Sequence, residues 1–318
     1  TSDTPCGPGI DQPVDGNRLP CTPNLAKIVG RGWEGLGVNG LAVVCRRVVH
    51  IYRAGAGDVV ALAGVDLSIG PGETLALVGP SGSGKSTLIA LLAGLMRPSA
   101  GRINVGSYDM GKLSDAEVGR LRGTEIGVVL QGAVRNLLPY ATLHRNIWLA
   151  QRRAAHTKGI KLDDPDRILD LVGLPGQGRA RLGGLAPGAR QRAALAVGIA
   201  AGPGLLLVDE PTSRLDPAGR DEVLAALETV NAERDTTIVV VTHDTDVGAR
   251  LGRAVTIRDG RVGAEGRDGQ DFAVVAGDGT VQLPPDVLGN FPPGTLFTVQ
   301  RVDGAVTFVA NGADQSDH

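Results

Sequence analysis

The sequence predicts an α/β fold, a mostly parallel sheet with helices on its faces, and three observations predict it. The apolar run Thr74-Leu-Ala-Leu-Val78 ends in a glycine-rich loop that opens into a helical pattern carrying Leu88, Leu91, Leu92 and Leu95. Two more continuous apolar runs, 205–208 and 237–242, are each followed by a helical period, at 218–233 and 244–251. Such runs read as strands buried on both faces, and strands that alternate with helices build parallel sheets.

Taken in order, residues 1–38 are rich in Pro, Gly, Asn and Asp and carry neither period, which predicts a mostly disordered leader. A main domain follows over 39–268. It opens with β runs at 41–52 and 59–69 around the turn Ala54-Gly-Ala-Gly57, an antiparallel β subdomain. After the glycine-rich loop come a short strand at 102–105, a polar helix near 114–121 and a strand at 125–131. Helical patterns at 143–155 and 165–172, broken by Gly and Pro, mark a helical subdomain at about 132–188. A helix at 190–201 precedes the strand at 205–208, and β runs at 254–258 and 261–265 close the domain. Residues 271–312 shift to short β runs and turns, a small β-rich unit of a size that usually needs a partner surface.

Composition narrows the function classes. Lysine and arginine total 32 against 34 acidic residues, so no bulk attraction to nucleic acid is expected. Three cysteines (Cys6, Cys21, Cys45) form no CxxC pair or zinc spacing, which suits a reducing, cytoplasmic compartment. No apolar run approaches the roughly 20 residues that span a bilayer, so a membrane role is expected to come through a partner.

The loop itself reads Gly79-Pro80-Ser81-Gly82-Ser83-Gly84-Lys85-Ser86-Thr87, a GxxxxGKS segment between a strand and a helix. Glycines let backbone N–H groups turn inward around a phosphate, and a helix N-terminus adds its positive dipole end. Lys85 supplies a charge for the β- and γ-phosphates, and the Ser86 hydroxyl a ligand for Mg²⁺. A nucleoside triphosphate with Mg²⁺ is the expected ligand. At the end of the 205–208 strand stand two adjacent carboxylates, Asp209 and Glu210.

In order and spacing, these segments resemble the nucleotide-binding subunit of an ABC transporter over roughly residues 41–265, which implies a P-loop NTPase fold and ATPase activity. In that likeness Gly79–Ser86 is Walker A and Leu205-Leu-Leu-Val-Asp209-Glu210-Pro211 is Walker B, which implies ATP as the nucleotide, Asp209 as support for Mg²⁺ through water and Glu210 as general base. The resemblance makes Gln131 the Q-loop glutamine, reaching metal and water, and His243 the switch histidine, tying Glu210 to the γ-phosphate. It makes Ser213-Arg-Leu-Asp216 the D-loop at a dimer seam, and Tyr52 the aromatic that stacks on adenine. It further implies a permease partner at the inner face of the cell membrane and a homodimer, or a heterodimer with a second ABC ATPase. Residues around Tyr52 and Asn136-Leu-Leu-Pro139 are similar to ATPases of the LolD, MacB and FtsE type, which serve lipoprotein or peptide export or signal to envelope machinery. Transport and FtsE-like control of an envelope enzyme both stay open.

The chain departs from the family at the LSGGQ signature, where Leu185-Ala186-Pro187-Gly188-Ala189 stands. Ala186 has no hydroxyl and Pro187 removes one N–H. Each charge-assisted bond lost across a dimer would cost about 1.5–3 kcal/mol, so slow hydrolysis by a homodimer is expected. The C-terminal unit resembles an AbrB-like swapped hairpin, with an unrelated β appendage as the alternative. Over residues 270–318 it holds Arg301 as its one basic residue against six aspartates, so DNA binding is not expected.

Overall fold

The computed structural model describes residues 39–54, 57–158, 162–267, 270–274, 281, 291, 295–302 and 305–311. The expected leader at 1–38 lies outside the described residues, as do most positions between 275 and 294 on which the C-terminal resemblance rests.

Strands β1 (Val43–Ala54) and β2 (Gly57–Ile69) pair antiparallel, and with β4 (Ala100–Val105) and β5 (Tyr108–Asp109) they form a four-stranded sheet in the order β2-β1-β4-β5. The main sheet has seven strands. Its parallel part runs β9 (Arg253–Arg258), β3 (Thr74–Val78), β8 (Thr237–Thr242), β7 (Leu205–Asp209), β6 (Ile126–Val129). Beyond β9, β10 (Arg261–Arg267) and β11 (Gln270–Ala273) add antiparallel edges. The sheet therefore continues past Asp271, where the sequence shifts composition; β11 is too short to leave a period of its own. Strands β12 (Leu296–Val302) and β13 (Ala305–Asn311) form a separate antiparallel pair.

Seven helices accompany these strands among the described residues: α1 (Lys85–Leu92), α2 (Asp115–Thr124), α3 (Leu143–Lys158), α4 (Pro165–Leu171), α5 (Pro187–Ile199), α6 (Pro217–Arg234) and α7 (Thr245–Arg250). Local chemistry sets their starts. Ser114 and Glu117 close a reciprocal capping box on α2, and Asp216 accepts the Gly219 N–H at 2.9 Å to cap α6. Helix α5 starts at Pro187, three residues before the expected 190, because proline's missing N–H costs nothing in a first turn. No helix of the described residues is long and apolar enough to cross a membrane.

Period-two alternation divides the interior. Leu205, Leu207, Val239 and Val241 face a core shared with α1, whereas Leu206, Val208, Ile238 and Val240 face a second core shared with α5 and α6. Both faces of the central strands are thus covered, which explains their unbroken apolar runs. Cys45 lies in the first core, where burial pushes its thiol up to about 12 and leaves it inert.

One buried cation ties the sheets together. Arg253, 9% exposed, donates to the Ser68 carbonyl at 2.9 Å, to Glu73 Oε1 at 2.8 Å and to Glu265 Oε1 at 2.8 Å. Arg253→Met would remove the cation shared by Glu73 and Glu265, leaving them the Gly70 N–H and Arg267 respectively, and unfolding in urea should show a loss of about 3 kcal/mol; a loss below about 1 kcal/mol would mean that those partners and water suffice.

Candidate active site

The glycine loop sits at the end of β3, and close packing explains two of its glycines. A side chain at Gly79 would meet the Ile257 carbonyl at 2.2 Å, and one at Gly84 the Ala61 carbonyl at 2.4 Å. Both also hold positive φ, 152° and 103°, which favours glycine. Helix α1 begins directly after Gly84 without a side-chain cap, so its first N–H groups point into the loop unclaimed by the chain's own side chains.

Lys85 fills the loop. The residue is 6% exposed, and its ammonium donates to the Gly79 and Pro80 carbonyls, each at 2.7 Å, and to Ser83 Oγ at 3.4 Å. Burial pulls its pKa down, while the charges of Glu210 and Asp209 pull the other way.

Parallel strands deliver the carboxylates to the same edge. Asp209 ends β7, and Glu210 follows with its N–H donating to the Val241 carbonyl at 2.9 Å. Glu210 holds φ at 48°, a left-handed conformation costly for a residue with a side chain. Desolvation, and then the neighbouring Glu210 charge, push the Asp209 pKa up against the opposing pull of Lys85, Arg135 and the Ser86 hydroxyl. Asp209 Oδ1 is buried with no hydrogen-bond partner. An orphaned carboxylate oxygen beside a serine hydroxyl suits a hard divalent cation such as Mg²⁺. Among the described residues no cluster of three or more His, Cys, Asp or Glu could hold a metal alone, so such an ion would share its shell with phosphate and water.

His243 follows β8 and meets Glu210, its Nδ1 lying 3.0 and 2.9 Å from the two carboxylate oxygens. Donation from Nδ1 leaves Nε2 without a proton in the neutral ring. A single imidazole therefore donates to Glu210 and to a phosphate at once only when charged.

A cleft of about 430 Å³ joins these groups. Ser81, Gly82, Gly84, Lys85, Ser86 and Thr87 line it together with Gln131, Asp209 and Glu210. Tyr52 also lines it, 41% exposed, its hydroxyl 3.1 Å from Thr87 Oγ1 and its ring edge-on to His50. Gln131 is exposed in a turn folded by Asn136, whose side chain bonds both the N–H and the carbonyl of Leu130 at 2.9 Å. Val59 and Val60 also line the cleft, 57% and 55% exposed; two adjacent β-branched residues in one strand hint that one must face outward. Arg135, which draws on the Asp209 charge from the same turn, left no signal in the sequence.

Two expected site segments lie outside the cleft lining. The stretch Leu185, Ala186, Pro187, Gly188, Ala189 opens α5, with Ala186 at the N-cap making no side-chain bond. A side chain on Gly188 would stand 3.1 Å from Gly219 Cα, so α5 and α6 pack closely at their first turns. Ser213 turns back, its N–H and Oγ donating to the Glu210 carbonyl at 3.4 and 3.1 Å, and Asp216 is occupied as the α6 cap.

A phosphate loop with a buried lysine, facing a strand-end carboxylate pair across a polar cleft, defines a P-loop nucleoside triphosphatase. A family described as ABC transporter matches residues 62–213. The chain is 40% identical over 216 residues to the lipoprotein-releasing system ATP-binding protein LolD of Anaeromyxobacter dehalogenans, covering 68% of this chain and 90% of that one. It is 38% identical over 218 residues to the macrolide export ATP-binding/permease protein MacB of Rhodopirellula baltica, covering 68% of this chain and 32% of that one. The fold is similar to the dimeric, post-hydrolysis ATP-binding cassette MJ0796 bound to ADP and Pi, with TM-score 0.63, 30% identity, and coverage of 71% and 98%. The chain belongs to the ATP-binding cassettes of ABC transporters and is an ATPase of the LolD/MacB type.

The raised Asp209 pKa has a consequence for stability. The folded protein holds this proton more tightly than the unfolded chain, so stability falls as pH rises from the ordinary carboxyl range through the raised value. Asp209→Asn removes that load along with a repulsion of Glu210, so at neutral pH the ligand-free variant should melt higher while losing magnesium-dependent turnover. A lower melting temperature would show instead that attraction to Lys85 outweighs both.

Proposed function

We propose that this chain hydrolyses ATP to drive a membrane permease handling lipoproteins or other envelope cargo. The observation supporting it most directly is the gathering of Tyr52, the glycine loop, Gln131, Asp209 and Glu210 in one cleft, with His243 bonded to Glu210. Adenine stacks on Tyr52, and the triphosphate lies along Pro80–Thr87 with Lys85 at the β- and γ-phosphates. Mg²⁺, held by Ser86 and, through water, by Asp209, with Gln131 beside it, would neutralise phosphate charge. Glu210 takes a proton from the attacking water as its oxygen bonds the γ-phosphorus and the bond to the β-phosphate oxygen breaks, leaving ADP and phosphate. The lipoprotein assignment rests on the LolD relatives.

The permease would hold the chain at the inner face of the membrane. Exposed apolar side chains beside Gln131, with Val134 at 62% and Tyr140 at 73%, support a partner surface there. Two cassettes close head to tail, each signature segment covering the other's γ-phosphate; Ser213 and Asp216 lie at that seam. The uncapped Ala186-Pro187 start of α5 weakens this closure, and that feature also favours a second reading, an FtsE-like regulator of an envelope enzyme in which slow hydrolysis suffices.

Two measurements test this function. Glu210→Gln should lower turnover by about a hundredfold or more and trap an ATP-filled dimer on size exclusion; parent-like hydrolysis would remove Glu210 from the base role. With its permease, the homodimer should turn over below about 1 per second, and Ala186→Ser should raise that about tenfold. Parent rates of about 1–10 per second would show that closure does not need the missing hydroxyl.

A further inference from the structure

The His243 side chain is 64% exposed and its one polar contact among the described residues is Glu210, so packing alone does not fix it. The next residue is fixed much more firmly. Asp244 Oδ1 accepts the Asp246 N–H at 3.0 Å and caps α7, while its own N–H donates to Thr242 Oγ1 at 3.1 Å. Its second oxygen, Oδ2, accepts from Arg220 Nη1 at 3.0 Å. Arg220 belongs to the first turn of α6, where its N–H donates to the Asp216 carbonyl at 2.9 Å. Ser213, three residues before that cap, returns two bonds to the Glu210 carbonyl. The contacts close a ring: Glu210, His243, Asp244, Arg220, the start of α6, the 213–216 turn, and Glu210 again.

Arg220 is the cross-member of that ring. Its pair with Asp244 joins groups 24 residues apart, and the two side chains are only about one third exposed, 34% and 29%. It is the ion pair that holds the His243 end of α7 to α6; at the far end of α7, Arg250 pairs with Asp221 and Glu228 of the same helix α6. We propose that Arg220 is a positioning residue for hydrolysis, acting through Asp244 to hold the His243 imidazole against Glu210. It lies outside the cleft lining. The inference rests on the assignment of His243 and Glu210 to the hydrolytic step.

The test is a double-mutant cycle on the full chain with ATP turnover and ATP affinity measured together. Arg220→Met should lower kcat about fivefold and leave KM within about twofold, and Arg220→Lys should recover most of the loss. In a His243→Ala background, itself well below the parent, Arg220→Met should change turnover by less than about twofold, because the group it positions is gone. An equal fivefold loss in both backgrounds would make the pair merely structural, and unchanged kcat in the single variant would do away with it. Should His243→Ala turn over like the parent, the histidine's role in the proposed function fails and this inference with it. If Arg220→Met does not fold, Asp244→Asn keeps the α7 cap, breaks the ion pair and puts the same cycle to work.

Discussion

A positive charge held out of water at the end of a parallel strand is the constraint on which the rest of this structure depends. Lys85 is held by carbonyls of its own loop, by the Ser83 hydroxyl and by the charges of two carboxylates next door, a balance that favours any ligand bringing negative charge. The loop can wrap the ammonium because Gly79 and Gly84 bring the backbone against carbonyls of Ile257 and Ala61. Those contacts come from β9 and from the antiparallel sheet, so both sheets wedge the loop in place. Arg253 bonds residues flanking the same β2, β3 and β10 elements and keeps the sheets in register behind it.

Topology then assembles the reacting groups. In a parallel sheet every strand releases its chain at the same edge, so β3, β7 and β8 deliver Gly79, Asp209 with Glu210, and His243 side by side. The buried alternation on both faces leaves those strands no freedom to slip, because a one-residue shift would exchange the two cores. Stability is given up where chemistry is needed: Glu210 sits at a costly φ, and Asp209 carries an unpartnered buried oxygen.

Much of this could be read in advance where a function is written in contiguous residues. The phosphate loop is written in a few neighbouring residues, the Asp209-Glu210 pair takes its meaning from following that loop in the family's order, and the central strands announce themselves by being apolar throughout. Other parts depend on residues that only the fold brings together. Val59 and Val60 looked like ordinary strand residues, and Arg135 like a loop cation. Nothing local links Arg220 to Asp244, and nothing in the residue pattern marks the backbone conformation of Glu210. Helix α5 began early because proline and glycine, usually breakers, are welcome in a first turn.

Calorimetric titration with ATP and magnesium, on the parent and on Lys85→Ala, tests the buried ammonium most directly. The parent should bind one nucleotide per chain, and the alanine variant should bind at least about a hundredfold more weakly, since a charge-assisted contact to phosphate in a desolvated site is lost. Equal affinity in the two proteins would contradict the account at its root.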